Sequence, residues 1–250
     1  MKISIVTVVR NNEKTIADAI ESVLGQTYGD IEYIVIDGAS TDGTVDIIRR
    51  YGGRIDRFVS EPDKGIYDAM NKGILMATGE VVGILNSDDF YIDSHVLSKV
   101  AEAFDDADVG AVFADLVYVR HENVSRSVRR YSSKGFHPSK FAYGWMPAHP
   151  TFFLRKRYYD QYGLYKTDYR IAADYELLIR MLYVHKIPYV YIPEVLTKMR
   201  LGGASTRSFK STMILNREIV RACRENGIRT NVFKVYSKYP KKLLELIKRK

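Results

Sequence analysis

Val81-Val82-Gly83-Ile84-Leu85-Asn86-Ser87-Asp88-Asp89 runs a continuous apolar, β-rich segment straight into a turn that carries two adjacent acids. An apolar run without polar alternation is the pattern of a strand buried on both faces. The same design occurs upstream. Glu32 to Ile36 is β-rich and opens into Asp37-Gly38-Ala39-Ser40-Thr41-Asp42-Gly43-Thr44, a turn rich in capping residues. Before it, Ile3 to Val9 forms another continuous apolar strand. Between these strands lie helical patterns. Ile16, Ala19, Ile20, Val23 and Leu24 make one face of a helix over 15–26, and further helices are predicted over 45–51 and 66–76. Ala77-Thr78-Gly79 stops the third helix. A short strand over 57–60, a helix over 96–104 and a strand over 111–115 complete the alternation. This order predicts an α/β fold with a mostly parallel sheet and helices on both faces.

The second half is less regular. Gly135 to Pro150 has no clear period and reads as a loop able to cover a site. A strand is predicted over 151–154, a helix over 174–184 with Leu177, Leu178, Met181 and Leu182 on one side, and a helix over 208–226. Neither repeats nor linkers interrupt the 250 residues, and 46% hydrophobic content suffices for one large core with a smaller α+β portion. The single cysteine, Cys223, excludes an internal disulfide and a multi-cysteine zinc site. No apolar run is long enough to span a bilayer, so the expectation is a cytoplasmic protein. The net charge of +8 is unevenly placed. One basic stretch holds Arg120, Arg126, Arg129, Arg130 and Lys134 against Glu122, and Lys234 to Lys250 carries seven cations and one acid. Such clusters attract nucleic acid, anionic lipid or diphosphates.

The chemistry follows from the strand ends. In open α/β sheets the ligand crevice lies beyond the carboxyl ends of the strands, where Asp37, Asp88 and Asp89 fall. Carboxylates gathered there repel one another unless a cation sits among them. Oxygen ligands without Cys or paired His suit Mg2+ or Mn2+, which complete their shell with substrate phosphates. Taken alone, an Asp-Asp pair reads more readily as a cap on a turn, since acids are common there. There is no phosphate loop ending in Gly-Lys-Ser/Thr, and Arg10-Asn11-Asn12-Glu13 follows the first strand instead of a glycine fingerprint. P-loop enzymes and dinucleotide-binding dehydrogenases are thereby disfavoured.

The ordered set Ile3-Ser4-Ile5-Val6-Thr7, Val35 to Thr44, Gly83 to Asp89 and Ala172-Ala173-Asp174-Tyr175-Glu176-Leu177 resembles the family-two inverting glycosyltransferases of the GT-A fold, of the bacterial surface-polysaccharide type. The resemblance covers the first 115 residues well and 145–205 more loosely. It implies a single GT-A domain over 1–226, with a nucleotide-sugar half over 1–115 and an acceptor-side half over 116–226. It also implies that Thr7, Val9, Asp37 and Ser87 hold the nucleotide, that Asp88 and Asp89 serve a Mn2+ or Mg2+ ion on the donor diphosphate, and that Asp174 is the base that takes the acceptor proton. Two positions depart from the family pattern: Asn86 stands where Asp is common, and Ala173 replaces an acid before Asp174. The Gln-x-x-Arg-Trp motif of processive synthases is absent, which implies transfer of one sugar, by default from a uridine donor.

Four further residues are candidates. His149, in Met146 to Thr151, reads as a donor-phosphate or metal contact, or as a packed loop residue. Arg200 to Ser205 reads as a lid whose arginine meets the diphosphate, or as a glycine-rich turn. Lys64 is within reach of a phosphate, or solvated. Asn71 shares a helix face with Tyr67 and Asp68, a spacing that suits the donor pocket or packing. Residues 227–250 read as a basic tail. A helix from Pro240 gathers Leu243, Leu246 and Ile247 opposite Lys241, Lys242, Lys248 and Arg249, the form of a segment that lies on an anionic membrane. The acceptor is then a saccharide on a lipid diphosphate at the inner face of the membrane, and nucleic acid is not expected as a partner. The rivals are a metal-dependent nucleotidyltransferase or phosphohydrolase, and an inactive nucleotide-sugar binding module.

Overall fold

The computed structural model describes residues 1–202 and 209–237. The first half alternates as its sequence requires: β1 (Ile3–Val9), α1 (Ile16–Leu24), β2 (Ile31–Asp37), α2 (Thr44–Arg49), β3 (Arg57–Ser60), α3 (Ile66–Met76) and β4 (Val81–Asn86). Then come β5 (Asp89–Tyr91), α4 (Val96–Ala103), β6 (Ala111–Arg120), β7 (Asn123–Tyr131), β8 (Phe153–Arg155), α5 (Lys156–Tyr162), α6 (Ala173–Ile179), β9 (Tyr189–Arg200), α7 (Phe209–Glu225) and α8 (Val232–Tyr236). The sheet runs β3-β2-β1-β4-β8-β6-β9-β5, with β7 beside β6. The strands β3, β2, β1 and β4 are mutually parallel, while β8 is antiparallel to β4 and β6. The chain steps outward from β1 to β2 and β3, then returns to the other side of β1 with β4. That reversal opens the crevice of a doubly wound sheet between the ends of β1 and β4. Register places Val9 beside Asp37 and Val8 beside Asn86 there.

Each face of the sheet carries its own core. On one, Ile3, Ile5 and Val9 pack with Ile16, Ile20 and Val23 of α1 and Val96, Leu97 and Val100 of α4. On the other, Val6 and Val8 meet Tyr67, Met70 and Ile74 of α3 and the apolar sides of α6 and α7. α3 lies close enough to β1 that a Cβ on Gly73 would stand 2.2 Å from Val6 Cγ1. This burial on both faces is why the strands lack polar alternation.

The second half departs from expectation in four places. The helix expected over 174–184 is α6 followed by a π-helical turn at Arg180–Val184. The Gly135–Pro150 segment contains 3-10 turns at Pro138–Tyr143 and His149–Thr151. The basic stretch is a hairpin: β6 continues to Arg120 and β7 pairs back on it. Arg130 and buried Asp115 form an ion pair at 2.7 Å, and Arg129 lies over the Tyr118 ring at 4.7 Å. Two of its cations are therefore held by this fold. Residues 228–237, read as part of a tail, pack on the body through buried Ile228 and Val235. The helix expected from Pro240 and the Gly203-Ala204-Ser205 part of the lid lie outside the described residues. Among the described residues no helix is long and apolar enough to cross a membrane.

Candidate active site

Three loops leave the ends of β1, β2 and β4, and side chains stitch them into one rim. Asn12 donates from Nδ2 to Ser87 Oγ at 2.8 Å, and its N–H donates to Thr44 Oγ1 at 2.8 Å. The Asn11 N–H donates to Ser40 Oγ at 2.7 Å, while its Oδ1 accepts from the Thr41 N–H at 2.8 Å. Asn11 holds φ +50°, a left-handed conformation that Asn adopts more readily than most residues. Glu13 Oε2 accepts from the Gly43 N–H at 2.9 Å, and the Thr15 hydroxyl donates to the Ser87 carbonyl at 2.9 Å.

Thr7, Val9 and Asp37 form the floor of this rim. Asp37 is buried and accepts from the Ser40 N–H at 3.0 Å, the Ser40 hydroxyl at 2.5 Å and the Ser60 hydroxyl at 2.6 Å. Thr7 has no exposed surface, and the Tyr33 hydroxyl donates to it at 3.1 Å. The Val9 carbonyl accepts from the Gly38 N–H at 2.9 Å. Of the side chains expected to touch a nucleotide, Asp37 therefore shapes the loop after β2, while wholly buried Thr7 bonds within the sheet.

The acids after β4 divide. Asp88 is half-buried, and burial raises its carboxyl above the ordinary range against the attraction of Arg200 and His121. Asp89, expected as a metal ligand, is wholly buried as the first residue of β5. Burial and then the Asp88 charge push its carboxyl well above the ordinary range. Asp89 Oδ1 and Asn86 Oδ1 are buried without a hydrogen-bond partner, and Asn86 Nδ2 reaches Asp89 Oδ2 only at 3.4 Å. Such orphaned oxygens beside a half-buried carboxylate fit a nearby cation. Among the described residues no three His, Cys, Asp or Glu stand together as a complete metal cage. A Mg2+ or Mn2+ ion held by one carboxylate and substrate phosphates needs no such cage.

Arg200 differs from its expected lid role. It is 3% exposed at the end of β9, paired with Asp18, donating to the Asp88 carbonyl at 2.8 Å, with its guanidinium 4.7 Å over the Phe90 ring. It braces the acidic turn from behind and is not free to reach a diphosphate in this conformation.

Asp174 is half-buried in the first turn of α6. Burial raises its carboxyl above the ordinary range, while the His149 ring and the Tyr175 N–H, which donates to Oδ1 at 2.7 Å, pull it down. His149 is buried, which lowers its affinity for a proton, and its Nε2 lies 3.2 Å from the Tyr165 hydroxyl. Asn71 brackets the Tyr165 backbone, donating to its carbonyl at 2.8 Å and accepting from its N–H at 2.9 Å. Asn71 thus positions the wall of the Asp174 site from α3. The His149–Thr151 turn also packs on β4, joining this cluster to the acidic turn.

The segment that delivers Asp174 is gripped from α7. Glu218 Oε1 accepts from the Arg170 N–H at 2.7 Å, and Oε2 accepts from the Ile171 and Ala172 N–H groups at 2.8 and 2.9 Å. Nothing in the sequence around Glu218 marks this role, since its partners lie 46–48 residues away. Beside the same segment is a cleft of about 280 Å³ between Lys64–Asp68 and Thr167–Arg170. Exposed Lys64 lines that cleft, and the Tyr67 hydroxyl closes its base by donating to the Ile171 carbonyl at 2.5 Å.

A family model described as Glycosyl transferase family 2 matches residues 4–164. The chain belongs to this family. A PGL/p-HBAD biosynthesis glycosyltransferase of Mycobacterium bovis is 29% identical over 180 residues, 71% of this chain and 68% of that protein. An uncharacterized glycosyltransferase of Mycobacterium tuberculosis is 32% identical over 180 residues, with the same coverage of 71% and 68%. Among solved structures, the S. aureus TarS 1-349 fragment in complex with UDP-GlcNAc superposes with a TM-score of 0.68 at 19% identity, covering 89% of this chain and 66% of that one. Mannosyltransferase PcManGT from Pyrobaculum calidifontis, in complex with GDP-Man and Mn2+, gives 0.64 at 18% identity, covering 88% and 64%. The chain spans 40% of the longer TarS structure. The fold is GT-A, as the strand-end motifs implied, and the protein is a glycosyltransferase. The family match ends ten residues before Asp174.

Proposed function

We propose that this glycosyltransferase moves one sugar from a nucleoside-diphosphate donor, with uridine as the base, to a saccharide hydroxyl with inversion at the anomeric carbon. What supports this reading is a pair of acids with raised pKa values, Asp88 and Asp174, whose surroundings both pack on β4. Asp88 lies on the donor rim. Asp174 is a carboxyl of raised pKa beside His149, on a cluster packed against the strand that leads to Asp88. Asp88 would hold Mn2+ or Mg2+, with Asn86 and Asp89 behind it. Such an ion, when bound, neutralises the charge that builds on the leaving nucleoside diphosphate. Asp174 accepts the proton of the acceptor hydroxyl as that oxygen attacks from the face opposite the diphosphate. Its raised pKa makes it a stronger base than an ordinary surface carboxylate. The acceptor is read as a lipid-diphosphate saccharide from the family resemblance alone, since the cleft near residues 167–170 balances Lys64 and Arg170 with Asp68 and Asp168. The UDP-GlcNAc complex of TarS supports a uridine donor, and the GDP-Man and Mn2+ complex of PcManGT supports a divalent ion.

The test incubates the protein with Mn2+, a panel of uridine and guanosine diphosphate sugars and a lipid-diphosphate saccharide, and measures nucleoside-diphosphate release beside Asp174→Asn. Metal-dependent release from one donor, lost in the variant, supports the reading. Release that persists in Asp174→Asn removes Asp174 as the base. Donor binding without release from any sugar marks a binding module.

A further inference from the structure

We propose that the face formed by α8 and the end of α7 docks on an anionic phospholipid bilayer. Phe233 is 87% exposed, and Val232 and Tyr236 on α8 and Tyr143 on the neighbouring 3-10 turn are also exposed. Val235 alone among the apolar residues of α8 turns into the body. Beside these side chains is an open depression of about 440 Å³, lined by Arg224, Arg229 and Lys234 together with Thr230 and Asn231, and by no acid. Glu225, adjacent in sequence, is engaged by Lys166 and Arg221. Among the described residues none of the three cations has a carboxylate within ion-pair distance.

A site of this chemistry takes a phosphate against the depression while Phe233 and Val232 enter the boundary between headgroups and acyl chains. Charge decides between a bilayer and a second copy of this chain. Two such faces brought together would oppose six cations, whereas an anionic leaflet is complementary to them. The sequence beyond Ser237 adds six cations against one acid, of the same sign as the face. Tyr143 and His149 are six residues apart, so at most about 20 Å of chain separates the docked face from the Asp174 cluster. A saccharide on a lipid diphosphate would reach the site from such a surface. The inference deepens the lipid-linked acceptor reading and rests on it for its purpose, but docking itself is measurable without turnover.

The experiment sediments the full chain with vesicles of phosphatidylcholine alone or mixed with phosphatidylglycerol. Wild type should bind only the anionic vesicles, and less as salt rises. The Val232→Ser, Phe233→Ser double variant should partition about tenfold more weakly. The Arg229→Ser, Lys234→Ser double variant should partition about 25-fold more weakly at low salt. All of these side chains are exposed, so the variants should keep the wild-type unfolding midpoint and its nucleoside-diphosphate release with a water-soluble acceptor. Three results would overturn the proposal: wild type that stays in the supernatant, variants that bind like wild type, or a two-chain mass that Phe233→Ser returns to one. Failure to bind with intact release would leave the transferase reading standing.

Discussion

Replacing Glu218 with Ala removes the carboxylate that grips residues 170–172 and should separate the placing of Asp174 from the building of the donor rim. Hydrogen bonds to a charged partner contribute about 1.5–3 kcal/mol each. Arg170 is exposed, so water replaces its lost bond, whereas Ile171 is half-buried and Ala172 buried. Counting those two at the low end gives a loss of about 3 kcal/mol. In a chain of this size that lowers the melting midpoint by about 6–12 °C. If the freed segment shifts Asp174 by about 1 Å, turnover falls by about 100-fold. The KM for the nucleotide sugar should hardly move, because among the described residues the hydrogen bonds of Glu218 run to residues 170–172 and not to the rim. Glu32 supplies the control. Like Glu218 it is a carboxylate accepting three bonds, from Ser4 Oγ at 2.5 Å, the Thr78 N–H at 2.7 Å and Thr78 Oγ1 at 2.9 Å, but it is buried and lies at the amino end of β2. Glu32→Ala should lose comparable stability and retain kcat below its midpoint. Calorimetry paired with initial rates of nucleoside-diphosphate release measures both. If Glu218→Ala keeps wild-type kcat, or if both variants lose kcat in proportion to stability, the positioning argument is wrong.

Asp174→Asn should make the protein more stable at neutral pH while abolishing turnover. The native carboxyl has a raised pKa, so between the unfolded value near 3.8 and the native value the folded chain binds more protons and stability falls as pH rises. Melting midpoints from about pH 3.5 to pH 8 should show the variant's advantage grow through that window and then level off. Glu176→Ala should cost about 3 kcal/mol in urea unfolding, because Glu176 is wholly buried at 3.0 Å from Arg180 and its loss leaves that guanidinium with the Tyr162, Gly163 and Leu164 carbonyls but no counter-charge. Gly73→Ala should destabilise by about 1–3 kcal/mol despite alanine's helix propensity, since the new methyl meets Val6 across the α3–β1 contact; an unchanged midpoint would show that Val6 has room to move.

The first half was legible because its signals are local. Apolar runs that end in acidic turns specify strands, and Ile16, Ile20 and Val23 recur at helical spacing, so every element from β1 to β4 falls where its pattern put it. The second half hides because its determinants are distant in sequence. β9 mixes polar and apolar residues since only parts of it are buried, and β7 reads as a charge cluster because an outer strand carries its arginines toward solvent. Site residues follow the same division. Asp88 and Asp174 were visible through motifs. That Arg200 supports Asp18 and the Asp88 carbonyl, that Asn71 holds Tyr165, and that Glu218 holds three N–H groups depends on contacts across 46–182 residues, which no local window contains.

The grip of Glu218 on residues 170–172 also sets an order of assembly. A ribosome adds about 5–20 residues per second, and Glu218 is made 44 residues after Asp174, a delay of about 2–9 s. The strands and loops of the donor rim, from β1 to β4, leave the ribosome earlier still. During synthesis the nascent chain therefore contains the loops proposed to face the nucleotide before the residue that fixes Asp174, the proposed base, has been made. Completion of α7 is then a late checkpoint that converts a chain shaped to receive a donor into one equipped to use it.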